Sequence, residues 1–206
     1  MIPMRKRLTQ QQRQSDILKH ARELFHQRGF TETEMEDIRN ACGISRGGLY
    51  HHFGNKVAIL NALVTEEVEA LADVLEASER SPIEVLLEAG SSHLGNEAGI
   101  ITALKTTEEK LTYLSGLDLA ITRNLSPILG IKLADSVRPD VNPAHVAELF
   151  LTVNAHINRR TCLGDWTEAQ SAKFAATALE AIAPFLKDPS GLHKIIQTLN
   201  SVEPTQ

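Results

Sequence analysis

The sequence predicts an all-α fold, and three observations carry that expectation. Aromatic residues make up only 4% of the 206-residue chain while Leu and Ala dominate, a composition suited to helices rather than sheets. Apolar residues recur at three- and four-residue spacing through most of the chain. Helix-start signatures stand ahead of several of these runs: a Thr followed three residues later by Gln or Glu, or a Pro at the first helical position. There is no internal repeat, no low-complexity tract and no persuasive strand pattern.

The elements follow in order. Met1 to Arg7 reads as a basic arm without structure. Thr9 with Gln12 forms a capping-box pattern, and Ile17, Leu18, Ala21, Leu24 and Phe25 continue at helical spacing until Gly29. Thr33 with Glu36 is a second box, opening a short helix around Met35, Ile38 and Ala41 that Gly43 ends. Ser45 caps a third short helix running to Phe53. Asn55 caps a fourth, long one, whose Ile59, Leu60, Leu63, Val64, Val68, Leu71, Val74 and Leu75 form an apolar stripe that runs toward Arg80. Ser81-Pro82-Ile83-Glu84 combines a cap, a first-turn Pro and a box Glu, so a further helix begins there. Helices are expected over Ile100 to Leu114 and Leu117 to Val137, the latter interrupted by Pro127 and Gly130. Others are expected over Ala144 to Leu163, over Thr167 to Lys187 with Pro184 bending its end, and over Leu192 to Leu199. The organisation this implies is a head over residues 1–56 and a helical body over 57–206.

Charge divides the same way. The chain carries a net charge of -5, but residues 1–56 hold ten Lys/Arg against six Asp/Glu, and the remainder eleven against twenty. A basic head on an acidic body concentrates affinity for anions at one end. Two cysteines, Cys42 and Cys162, are too few for a disulfide framework and stand in no CxxC spacing, which fits a reducing compartment. No apolar run resembles a signal peptide or a membrane span, so a soluble, cytoplasmic protein without a membrane partner is expected.

The informative stretch runs from Gly29 to Lys56. Two short helices joined by a three- to four-residue turn containing Gly43 have helix-turn-helix spacing, the arrangement that sets a second helix into a DNA groove. Ile38, Ala41, Ile44, Leu49 and Phe53 are the inward positions. Leu49 and Phe53, four apart, anchor the second helix, while Arg46, Gly47, Tyr50 and His51 face out. Gly47 and Gly48 each cost about 1 kcal/mol relative to Ala inside a helix, a penalty that suggests close approach to this backbone by something outside.

These residues resemble the tetracycline-repressor (TetR) family of bacterial regulators. The likeness covers Ile17 to about Leu60 and rests on Thr33, Asp37-Ile38, Gly43-Ile44-Ser45-Arg46-Gly47, Leu49-Tyr50-His51-His52-Phe53 and Lys56 at their spacing. The chain departs from the family pattern at Arg39 and Cys42, where small residues are usual, at Gly48, where Thr is common, and at Val57, where Glu is common. Gly48 removes a contacting hydroxyl and shifts weight onto Arg46. Cys42 reads as a small buried hydrophobe. Arg39 is either another phosphate contact or a solvated charge.

The resemblance implies a transcriptional repressor in which Ser45, Arg46, Gly47 and Gly48 open the recognition helix into the major groove of a double-stranded operator, with Arg46 suited to guanine O6 and N7. Thr33, Tyr50, His51, His52 and Lys56 would then hold phosphates. Arg5, Lys6 and Arg7 either enter a minor groove or stay a free tail. The resemblance further implies a homodimer formed through the last two long helices. One presents Val146, Leu149, Phe150, Val153 and Ile157, the other Ala175, Ala178, Leu179, Ile182 and Phe185, although both faces read equally as an intramolecular core. It also implies a small-molecule effector among the middle helices, with His93, Thr102, Tyr113, Asn124 and Asn154 as candidate contacts. Alternatives are an activator or corepressor-dependent regulator, an architectural DNA-binding protein, and a helical enzyme. The enzyme finds little support: there is no GxSxG, HExxH, GxGxxG or P-loop, and the scattered His93, His145 and His156 have no ligand spacing. No catalytic residue, metal or cofactor is expected.

Overall fold

A computed structural model of the chain describes residues 9–95 and 99–203, with backbone alone over 90–95. Arg5, Lys6 and Arg7 and the side chain of His93 lie outside these. Ten α-helices are described: α1 (Gln10–Arg28), α2 (Met35–Cys42), α3 (Arg46–His52), α4 (Lys56–Ala77), α5 (Pro82–Gly95), α6 (Thr107–Ala120), α7 (Ser126–Leu133), α8 (Pro143–Cys162), α9 (Glu168–Ile182) and α10 (Ser190–Asn200). The all-α expectation holds. Among the described residues the single β feature is an isolated antiparallel bridge between Val137 and Leu186.

Local chemistry accounts for most boundaries. Thr9 and Gln12 exchange the reciprocal capping-box bonds ahead of α1, and Thr167 and Gln170 do so ahead of α9. Gly29, at φ 94°, and Gly43, in the left-handed region at φ 61° and ψ 39°, stop α1 and α2, conformations costly for any residue with a Cβ. The box at α2 is shifted by one residue from the expected Thr33/Glu36: Glu34 and Asp37 make it. Thr33 is fully buried and donates its hydroxyl to Gly29 O at 2.8 Å, so it cannot cap.

The middle of the chain differs from the expectation of a break after Leu114. Ile100–Ala103 is a short 3-10 turn, and α6 starts afresh at Thr107. The restart has two causes. Phe30 N–H takes up Ala103 O at 3.2 Å, and Thr106 and Glu109 form a reciprocal cap. Gly116 does not end α6. The helix runs on into a π turn over Ile121–Leu125, where Ser126 N–H reaches back to Ile121 O. Pro127, at the start of α7, brings no N–H and its ring crowds the carbonyl four residues back; one wider turn absorbs both problems.

The described chain falls into two compact units, and the division lies inside α4 and α6. One holds residues up to Val64 together with Ile100–Tyr113; the other holds Thr65–Gly99 and Leu114 onward. The first has its own core, with Ile17, Phe25, Ile38, Leu49, Ile59, Leu60 and Ile100 fully buried. Truncating one such Leu or Ile to Ala costs about 2–5 kcal/mol. In the second, α8 packs against α7, α9 and α5, and α9 against α10. Phe150, Val146, Leu179 and Ile182 fill this interior, and Thr161 and Ser171 share a 2.7 Å hydroxyl bond between α8 and α9.

Candidate nucleic-acid interface

The helix-turn-helix is built on α2 and α3. After Gly43, the Ile44 N–H returns to Arg39 O at 3.3 Å, and Ser45 in extended backbone starts α3 by accepting Gly48 N–H at 3.1 Å. Leu49 is fully buried and Phe53 nearly so, which fixes the rotation of α3. Arg46, Gly47, Tyr50 and His51 are consequently exposed along one stripe. Ile38 is buried as expected and Ile44 is half-buried, but Ala41 is exposed; the neighbouring Cys42 takes the buried position.

Two features of the stripe bear on recognition. The Arg46 guanidinium lies over the Tyr50 ring, 5.6 Å from its centroid, an arrangement that limits the wandering of a long side chain. A Cβ on Gly47 would meet nothing within 4 Å, so no neighbour in the chain demands a glycine there. Gly48 differs, because a Cβ would come within 3.2 Å of Ser45 Oγ, the capping atom itself. His51 and His52 stack edge to face with centroids 5.6 Å apart. Partial burial, then the charges of His51 and Arg13, hold the His52 imidazole below its ordinary pKa and favour its neutral form.

The loop that leads into α2 is tightly held. Lys56, at the start of α4, donates to Phe30 O at 2.7 Å, Thr31 O at 3.0 Å and Thr33 O at 2.7 Å, and its ammonium sits 4.7 Å from the Phe30 ring centroid. Glu109, buried near the start of α6, accepts the Thr31 hydroxyl and the Lys105 and Thr106 N–H groups at 2.6 and 2.8 Å. Both residues therefore serve the shape of the head. Thr33 has its hydroxyl committed to Gly29 O and no exposed surface, and Lys56 has its three N–H donors committed to carbonyls, so as structured neither offers a donor to a phosphate. Arg39 is likewise engaged, with Glu36 at 2.6 Å and Ile44 O at 3.3 Å. Cys42 is buried, and desolvation followed by the charge of Asp16 pushes its thiol up to about 11, which disfavours the reactive thiolate.

Residues 17–63 match the sequence family described as bacterial regulatory proteins of the tetR family. The head of the chain is similar to that family. The HTH-type transcriptional regulator UidR of Escherichia coli K12 is 44% identical over 69 residues, 33% of this chain and 33% of UidR. The chain thus covers about a third of the length of such curated relatives. Likeness of fold extends further. NalD of Pseudomonas aeruginosa, the secondary repressor of the MexAB-OprM multidrug efflux pump, has a TM-score of 0.51 at 22% identity, over 85% of this chain and 97% of NalD. FadR of Thermus thermophilus, a TetR-family repressor in complex with lauroyl-CoA, has a TM-score of 0.54 at 18% identity, over 82% and 92%.

The residues expected as effector contacts fall on different elements of the chain. Thr102 lies in the 3-10 turn of the first unit, its hydroxyl 3.5 Å from His26 Nδ1. Tyr113 is buried, Asn124 sits on the π turn, and Asn154 donates to Phe150 O at 2.9 Å within α8. Among the described residues, none of them lines the cleft beside Asp118 and Arg159 or the cleft beside Glu67 and Arg80. Of the faces expected to meet a partner, Phe150 and Leu179 are buried in the chain's own core, whereas Leu149 stays 41% exposed; Phe174, outside those faces, is 39% exposed. Near Phe174 the rings of His156 and Trp166 gather with centroids 5.0–5.4 Å apart. Among the described residues no group of three or more His, Cys, Asp or Glu is placed to hold a metal. No described helix is long and apolar enough to cross a membrane.

Proposed function

We propose that the chain is a dimeric, DNA-binding transcriptional regulator that a small molecule releases from a palindromic operator. The observation that carries this is the exposed stripe of α3, which combines a stacked arginine, an unfilled glycine backbone, a tyrosine and a histidine on a helix whose other face is locked into the head. Ser45, Arg46, Gly47 and Gly48 form the groove-facing end, Arg46 reads guanine, and Tyr50, His51 and His52 lie along the phosphates. The functional division is a DNA-reading segment over 1–56 and an effector-binding and dimerising segment over 57–206. The regulator works in the cytoplasm, without catalysis. UidR, a transcriptional regulator, supports the role of the head. FadR, which binds lauroyl-CoA, supports a small organic effector in a similarly folded body.

Dimerisation places two α3 helices on half-sites related by the same two-fold axis as the duplex. The exposed apolar residues Leu149 on α8 and Phe174 on α9 are the surface for it. Selection of binding sites from random duplex DNA, with the mass of the complex measured by sedimentation, tests the reading. A palindromic consensus bound by two chains is the expected result, and sequence-independent binding would make the protein architectural instead. Once an effector is found, reciprocity requires operator DNA to weaken its binding as much as it weakens operator binding. Mutual strengthening would identify a corepressor.

A further inference from the structure

The second unit contains a cleft of about 290 Å³ between the later part of α6, the π turn and α8. Its lining mixes apolar Leu114, Leu117, Ile121 and Ala155 with polar Ser115, His156 and Asn158, and it includes Asp118 on α6 and Arg159 on α8. Both charged residues are exposed, and among the described residues neither takes part in an ion pair. Opposite charges that line one small cleft without meeting each other leave room for something between them. Ile121 also opens the π turn, and such turns recur at functional sites because they alter which groups a helix presents.

We propose that this cleft binds a small zwitterion of amino-acid size: an apolar body on Leu117 and Ile121, a carboxylate at Arg159 and an ammonium at Asp118. This inference rests on reading the chain as an effector-responsive regulator and names the chemical class of its effector. Arg159 offers a planar fork of donors to a carboxylate, and Asp118 accepts from an ammonium. Selectivity follows from desolvation. A ligand with one charge covers the cleft and strips water from the opposite protein charge without replacing it, which is costly. A ligand with both charges leaves neither stranded. The small volume excludes bulky amphiphiles.

The test uses the full chain and three probes with one ring: phenylalanine, phenethylamine and 3-phenylpropanoate. Calorimetric titration is expected to show phenylalanine binding at least about tenfold more tightly than either singly charged probe, since one charge-assisted contact is worth that much. Arg159→Gln should bring phenylalanine down to the level of phenethylamine, and Asp118→Asn down to that of 3-phenylpropanoate. Both positions are exposed, so both variants should keep the wild-type melting temperature. Equal affinity for the three probes, no binding by any of them at millimolar concentration, or variants that leave the ranking unchanged would each overturn the proposal. Operator binding without added probe is measured in parallel. Retained operator binding with no probe binding removes the zwitterion and leaves the regulator; probe binding with no affinity for any duplex removes the regulator.

Discussion

Lys56 and Glu109 hold the same residue, Thr31, by its two polar ends: the lysine donates to the Thr31 carbonyl at 3.0 Å and the glutamate accepts the Thr31 hydroxyl. The loop ahead of α2 is thus fixed by a cation from α4 and an anion from α6. Replacing Lys56 with Met keeps the stem over Phe30 but leaves three carbonyls without their donor. The expected loss is about 2–3 kcal/mol of stability, read as a lower urea midpoint. An unchanged midpoint with uniformly weaker DNA binding would return Lys56 to the phosphate-contacting role that its place in the motif implied.

Glu109 makes the head acid-sensitive. Burial by itself raises a carboxyl pKa, but the hydrogen bonds from Thr31, Thr106 and Lys105 outweigh it and hold the group below its ordinary value of 4.5. As pH falls through that ordinary value the unfolded chain takes up the proton first. The stabilisation is therefore complete above 4.5 and is lost as pH drops through the lower, folded value. Urea midpoints at neutral and acid pH should fall for the native chain. Glu109→Gln should be less stable at neutral pH, with a flatter acid limb. Parallel curves for the two proteins would assign the acid loss elsewhere.

Gly47→Ala separates folding from binding. With nothing within 4 Å of the added Cβ, helix propensity alone should make the variant more stable by about 0.5–1 kcal/mol. Its affinity for the operator should nevertheless fall, because the methyl occupies the space into which the DNA backbone fits. Undiminished affinity would mean that nothing approaches α3 there.

Arg46→Ala should relax base preference at one or two positions of each half-site, at a cost of about 1–3 kcal/mol for the preferred sequence. Binding selections on the variant give the answer. A uniform loss across sequences would make Arg46 a phosphate contact instead.

Leu149→Glu and Phe174→Glu, at exposed positions, should yield folded monomers that no longer bind a palindromic operator. Phe150→Ala removes a side chain only 1% exposed and should cost about 3–5 kcal/mol, unfolding the body rather than merely parting a dimer. Sedimentation together with circular dichroism distinguishes these outcomes. A folded dimer in both Glu variants would place the interface on another surface.

Much of the head was legible because its signals are local. Ser45 caps α3, and Leu49 and Phe53 turn it, from positions within one or two helical turns. Local signals stop being decisive where a distant partner competes for the same group. Thr33 carries the same capping signal as Thr9, but Gly29 O and Leu24 O claimed its hydroxyl once α1 had folded back. Lys56 has a stem long enough for a phosphate or for carbonyls 23 to 26 residues upstream, and its sequence neighbours do not choose between them. The Thr106–Glu109 cap was visible as a Thr-x-x-Glu pattern and would have placed the start of α6. Asp118 and Arg159 meet at one cleft only through the packing of α6 and α8, which no spacing in the chain encodes.

The π turn at Ile121–Leu125 also sets the angular phase of everything that follows it. A turn closed through Ser126 N–H and Ile121 O accommodates one residue more than the regular turn it replaces. Relative to an uninterrupted helix, α7 is therefore rotated by about 100° against α6, the angle one residue contributes. Leu129 and Leu133 are buried at this setting, and Ile131 is 77% exposed. A chain shortened by one residue within the turn would regain regular hydrogen bonding there but swing the two leucines out of their buried positions. At this junction, residue count is as binding a constraint as residue identity.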